Sequence, residues 1–372
     1  MGELKLRKQR KTIALLLVCM LMLSVLAGCG NSAKQPNPVE PSNNTNNPPV
    51  SQPGENAKTR TVVDFGGATV EIPTNVTSIC ATFPAIDAIV VMLGGSDKIV
   101  ATTASNATNS WFIRMVPEIV NLPQPFADLA AGNVEEIMNI NPDVIVATGN
   151  NVQTLRNAGL TVVEVGTSTI DQLKFYIKLV GEVLGGDSVK KADQLLEYYN
   201  KNIELVTARN DAIAKEDRPT VFYAANGVLN TEGENTIVKE WIELSGGVNI
   251  AAENGVDGGF KDITQEQLLE WDPDFIICRD AKHKDAYLAD PTLSKLSAIK
   301  NGNIYVNPKS VFIWCVRSAD EAIQPLWAST IFQPELFKDI DMVEETRKFH
   351  KDFYGLDLTD EEIQSILFPT EG

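Results

Sequence analysis

Arg317 stands in a loop with the large apolar residues Phe312 and Trp314, directly before a helical pattern. A guanidinium fork there could hold a carboxylate, phosphate or oxyanion bidentately; the alternative is a structural pair with Asp320 or Glu321. Arg279, at the end of a strand-like run, offers the same chemistry or a pair with Asp280. Phe83, Trp111, Phe260 and Trp314 could line an aromatic cleft, or could simply fill core. Direct metal ligation is poorly supplied. His283 lies between Lys282 and Lys284 and His350 on a charged helix, so both read as solvated surface residues, and no histidine-carboxylate cluster is visible. Cys80, Cys278 and Cys315 fall near strand ends, where an unpaired cysteine is usually a small hydrophobe. There is no Gly-x-Ser-x-Gly, His-Glu-x-x-His or Gly-x-x-x-x-Gly-Lys motif. No catalytic residue, metal or cofactor is therefore expected.

The elements that would position these groups repeat. Residues 133–147 run from Asn133 through an apolar-striped helix to Asn141-Pro142-Asp143 and a strand; residues 264–278 run from Thr264 through a like helix to Asp272-Pro273-Asp274 and a strand. Asn133 with Glu136, and Thr264 with Gln267, have the form of capping boxes. That leaves Glu135 and Glu266 free to point outward. Each could simply complement its helix dipole, worth about a few tenths of a kcal/mol, but the same free acid stands in both copies. Elsewhere short apolar runs alternate with helical patterns, which means mostly parallel sheets covered on both faces. Residues 61–72 read as a hairpin turning at Gly66-Gly67. Two helices without an intervening strand, 170–184 and 188–215, break the rhythm. The expected architecture is α/β: two Rossmann-like lobes, 59–186 and 217–372, joined by a long helix at 187–216. Ligands in such lobes lie beyond the carboxyl ends of strands, which adds the loops at 103–111 and around Asn226 to the candidates.

The front end is different. Lys5, Arg7, Lys8, Arg10 and Lys11 precede an apolar core at 13–26, too short for a comfortable span and ending in small residues. Leu26-Ala27-Gly28-Cys29 is similar to a bacterial lipobox, so 1–28 is expected to be a cleaved signal and Cys29 a lipidated N-terminus. Residues 29–58, rich in Pro and Asn, cannot bury enough surface to order themselves and should act as a tether. The remainder is too long for one ordinary core. The three remaining thiols make no disulfide framework for an exported chain. The net charge of −17, which still includes the basic leader, leaves no basic stripe for nucleic acid or an anionic membrane surface.

Taken in order, Asp64-Phe65-Gly66-Gly67, the helical unit at 84–95, the doubled helix-Pro-Asp-strand, Leu244-Ser245-Gly246-Gly247, and 302–306 followed by the Arg317 loop resemble the class III periplasmic binding proteins. The resemblance runs from Thr61 to the end. It implies a shallow cleft between two lobes with little closure, and a role in an ABC importer of iron-siderophore, haem or cobalamin type. The matching acids of that family dock on basic residues of the permease, which implies the same for Glu135 and Glu266. The expected protein is a monomeric lipoprotein on the extracytoplasmic face of the cell membrane that captures an iron complex of siderophore type. Molybdate or tungstate, a corrinoid, or haem (with Tyr223 or Tyr287 as axial ligand) are alternative cargoes. A surface enzyme on the same fold, or a structural envelope lipoprotein, are the competing classes.

Overall fold

The computed structural model describes residues 58–126 and 132–370. The signal segment, Cys29 and nearly all of the tether lie outside these residues. No helix among the described residues is long and apolar enough to cross a membrane.

The chain opens with antiparallel β1 (Thr59–Val63) and β2 (Thr69–Pro73). The connection is longer than the two-residue turn expected from Gly66-Gly67, because Asp64 leaves the ladder. Its buried carboxylate accepts from Ala68 N, Glu164 N and the Arg156 guanidinium, which ties the turn to the first lobe.

Among the described residues that lobe holds four parallel strands, β3 (Ile79–Ala81), β4 (Ile99–Ala101), β5 (Val144–Ala147) and β6 (Val162–Glu164), in the order β4-β3-β5-β6. The second lobe holds β7 (Thr220–Ala224), β8 (Asn230–Thr231), β9 (Val248–Asn249), β10 (Lys261–Asp262), β11 (Phe275–Cys278) and β12 (Ile304–Val306). Its main sheet runs β12-β11-β7-β9, and β8 pairs antiparallel with β10. Counting only the strands of each parallel sheet in chain order, both sheets therefore read second, first, third, fourth, so the repeat in the sequence is a repeat in topology.

The Pro-Asp turns explain how the repeat is built. Asn141 and Asp272 end their helices with positive φ, 50° and 38°, and proline then prevents resumption. The next aspartate clamps the neighbouring strand: Asp143 accepts from Thr77 N and Oγ1 at 2.7 and 2.8 Å, Asp274 from Thr220 N and Oγ1 at 2.8 Å each. Of the two repeat helices, the second has a complete capping box. In the first, Asn133 caps Glu136 N, but the Glu136 side chain meets the Asn133 amide instead of its backbone N–H.

Strand residues divide between two faces with period two. Ile79, Ala81, Val144 and Val146 join Val221, Tyr223 and Ile277 in one continuous core, which also takes in Phe349 and Ile363 of the tail. Cys80, Ile145 and Ala147 pack in an outer cluster of the first lobe, and Phe222, Ile276 and Cys278 in one of the second. The chain length suggests two cores; the inner faces of both sheets instead share one, and both lobes fall within one compact unit, 53–372.

The long helix spans Asp187–Asn210, 24 residues. It stops short of the expected 215 because Arg218 gathers the carbonyls of Asn210, Ile213 and Glu243 beyond its end. Asn202 on this helix donates to Ala322 O at 2.8 Å, and Glu240 of the second lobe accepts from Ile170 N at 2.6 Å. The helical pattern after Arg317 divides into a 3-10 turn, Ala319–Ile323, and an α-helix, Gln324–Phe332, with Pro325 in its first turn.

Candidate functional site

A cavity of 860 Å³ opens where strand ends of the two lobes face each other. The first lobe contributes Pro84 after β3 and most of 105–111 after β4; the second contributes Arg279 and Asp280 after β11 and residues 309–313 after β12. In an open parallel sheet the loops on either side of the point where strand order reverses are free to diverge, and ligands lie there. In the second lobe that point lies between β7 and β11. Asn226 and Arg279 follow these two strands and meet, with Arg279 Nη1 donating to Asn226 Oδ1 at 2.6 Å.

Arg279 has no carboxylate within ion-pair distance among the described residues, since the nearby Asp280 approaches Lys282 instead. Lys309 adds a second cation on the cavity wall, and Ser105, Thr108 and Ser110 add hydroxyls. Trp111 and Phe312 supply ring surface. Phe312 packs edge-on against Phe83 of the other lobe with centroids 5.8 Å apart. Asn109 caps its own short helix and donates to Val311 O at 3.0 Å, so the lobes are pinned beside the cavity.

The floor of the first lobe is set by a buried acid. Asp87 Oδ2 accepts from Thr102 Oγ1 at 2.7 Å and from Asn106 Nδ2 at 2.9 Å, and Asn106 Nδ2 also donates to Pro84 O. Burial pushes the Asp87 carboxyl up to about 7 against the lowering effect of these two bonds. In the unfolded chain it titrates as an ordinary carboxylic acid near 4. The folded state thus holds a proton that the unfolded state releases, and stability from this group falls as pH rises from about 4 to about 7. Asp320, raised by burial to about 6, adds to the same slope. Asp87→Asn should flatten part of the decline, seen as a smaller difference between urea midpoints at about pH 5 and about pH 8.

Of the seven residues expected to meet ligand, Trp111 and Arg279 line the cavity, while Phe83 packs on the lining residue Phe312 and the exposed Asn226 bonds to Arg279. Trp314 does not face it. The ring is fully buried, its Nε1 donates to Ser310 Oγ, and it packs near His350. Arg317 pairs with neither Asp320 nor Glu321. Its guanidinium binds Glu232, Nη2 to Oε2 at 3.1 Å, and lies 4.8 Å from the centre of the Phe260 ring. The Glu232 side chain is wholly buried. Arg317 and Phe260 both have positive φ, 58° and 54°. A Cβ at Gly259 would lie 3.0 Å from Glu232 Oε2, a tight contact that glycine avoids where this loop passes the carboxylate.

The histidines are not surface residues. His350 is fully buried among Phe349, Tyr354 and Trp314, bonded through Nδ1 to Thr346 O, and held down to about 4 by burial. His283 is buried as well. Tyr223, bonded to Cys315 Sγ, and Tyr287, donating to Val228 O, are inside the second lobe, so neither is presented as an axial ligand. Burial raises all three thiols, Cys315 to about 12, which keeps them from acting as thiolates. Glu135 and Glu266 are both exposed, each in the first turn of its repeat helix.

A family model described as periplasmic binding protein matches residues 79–311. An uncharacterized ABC transporter substrate-binding lipoprotein of Bacillus subtilis is 26% identical over 339 residues, covering 86% of this chain and 96% of its own. A periplasmic solute binding protein from Veillonella parvula has a similar fold, with a TM-score of 0.72 at 24% identity over 83% of this chain and 97% of that one. The molybdate-bound molybdate-binding protein of Haemophilus influenzae gives a TM-score of 0.71 at 22% identity over 81% of this chain and 99% of that one.

Proposed function

This chain belongs to the periplasmic binding protein family, which makes it a solute-binding component of an ABC transporter and not an enzyme, and from that premise we propose that its cargo is an anionic metal chelate of the iron-siderophore type. The observation that carries this reading is Arg279. It is a guanidinium without an acidic partner among the described residues, at the strand-order reversal of the second lobe, on the wall of an 860 Å³ cavity. Cavities of roughly 300–1,000 Å³ suit molecules of drug size. A bare tetrahedral oxyanion fills only the space of a few waters at roughly 30 Å³ each, a small part of such a cavity. The ring surface of Trp111 and Phe312 fits a chelate with an organic frame, and Arg279 and Lys309 fit its negative charge.

A smaller oxyanion is the second reading. It is favoured by Arg279 with the hydroxyls of Ser105, Thr108 and Ser110, and by similarity to the molybdate-binding protein. Native mass spectrometry with metal analysis, on protein purified from its own cell envelope, separates the two. Iron with an organic mass supports the chelate; molybdenum or tungsten alone replaces it. A protein that is empty and ignores siderophores, haem, corrinoids and oxyanions overturns both.

In this proposal Cys29 carries the lipid and the tether gives reach to the permease in the same membrane. Glu135 and Glu266 are the docking acids, one per lobe, and such charges set register and encounter rate more than affinity. Changing both to lysine should cut uptake by cells severalfold and leave ligand affinity in solution unchanged. If uptake survives the double reversal, the docking role is wrong.

A further inference from the structure

We propose that the C-terminal segment 365–370 is a wall that separates the ligand cavity from a second cavity beside it, and that Arg114 of the first lobe holds this wall in place. The segment thereby sets the volume that a ligand can use; the inference rests on reading the larger cavity as the ligand site.

The helix Asp360–Leu367 buries Ile363, Ile366 and Leu367. Its start is a complete capping box, with Thr359 Oγ1 capping Glu362 N and Glu362 Oε2 accepting from Thr359 N at 2.9 Å. The other oxygen of Glu362 is used across the molecule: Oε1 accepts from Arg114 Nη1 at 2.7 Å. Arg114 Nη2 donates to Asp357 O at 2.9 Å, just before the helix. Arg114 lies one turn after the cavity residue Trp111, on the helix Ser110–Met115, with its guanidinium 6.0 Å from that ring's centre. One guanidinium therefore joins the first lobe's share of the cavity to the start of the tail. On the other side, Lys309 N donates to Ile366 O at 3.2 Å and secures the helix to the second lobe's share.

From Ser365 onward the chain has two sides. Ser365, Pro369 and Thr370 line the 860 Å³ cavity. Leu367, Phe368, Pro369 and Thr370 also line a neighbouring 270 Å³ cavity, whose far wall includes Tyr305, Trp327 and Ile331. Pro369 and Thr370 thus face both spaces and form the partition between them. Arg114 and Glu362 are partly exposed, 40% and 34%, so their pairing is worth little to global stability. Its consequence is positional, which makes it a suitable place to perturb the wall without unfolding the protein.

Hydroxyl-radical footprinting of the full-length chain, without ligand and read by peptide mass, tests this. Trp327 lies behind the partition and is 5% exposed, and Met342 shares that cavity. In a chain ending at Leu367 both should oxidise severalfold faster, and Arg114→Gln should give an intermediate rise. Trp241 and Trp314 are fully buried elsewhere and report an intact fold. If they too react in the shortened chain, it has unfolded, and Arg114→Gln decides. Unchanged Trp327 and Met342, with Trp241 and Trp314 protected, overturns the wall. No ligand enters the measurement, so an error about the cargo and an error about the wall remain distinguishable.

Discussion

Arg279→Gln strips the co-purifying cargo from the protein and weakens rebinding of that cargo by roughly 10- to 100-fold, the equivalent of about 1.5–3 kcal/mol for a hydrogen bond to a charged group. The size of the effect follows from where the charge stands. Arg279 is bonded to the neutral Asn226 amide, which orients it and leaves its charge uncompensated. Asp280 shares the cavity wall. Without the guanidinium an anionic ligand would meet that carboxylate with Lys309 as the opposing cation, so the loss includes uncovered repulsion as well as a missing bond. Asn226→Ala should do less, because it loosens the arginine without removing it. The check is metal content of envelope-purified protein followed by titration with the released cargo. Arg279→Gln that retains metal and affinity would sink the anionic-cargo reading, whereas a loss confined to this variant would separate Arg279 from Arg317.

Much of the fold is legible because its signals are local. A cap, a helical stripe, Pro-Asp and a short apolar run fit within one segment, and the same order of parts at 264–278 discloses the second lobe. Even so, the purpose of Asp143 and Asp274 is not legible, since each carboxylate acts on the neighbouring strand, Thr77 or Thr220, far away in the chain. The site divides the same way. Arg279 is found by the strand-end rule alone. Glu232 carries no local signal, and the sequence draws Arg317 toward Asp320 and Glu321 because these are near in number. Both are buried in the structure, Asp320 bonded to Tyr354, Ser310 and Ser318. Trp314 and His350 fail for a related reason. An apolar loop looks alike whether it faces a cleft or a core, and a histidine among charges looks exposed until Phe349 and Tyr354 close around it.

Arg317 carries the largest expected effect on stability, and the expectation differs from that of a ligand-contact residue. Its partner Glu232 has no exposed side-chain surface, and both carboxylate oxygens are engaged by the one guanidinium. Arg317→Met would leave that carboxylate buried and unpaired, at a cost of about 3 kcal/mol. It would also release the Phe260 ring, which the cation holds at 4.8 Å in a loop whose backbone there is at φ 54°, a region unfavourable for a bulky side chain. Glu232→Met alone should cost less, since the 20% exposed Arg317 can turn toward water. Making both changes together should recover most of the loss, because two apolar groups of similar length fill the space without a stranded charge. Urea unfolding of the parent, the two single variants and the double variant gives the coupling directly. Losses that simply add would mean that the pair is no unit. An Arg317→Met protein as stable as its parent, yet unable to hold its cargo, would return Arg317 to the ligand.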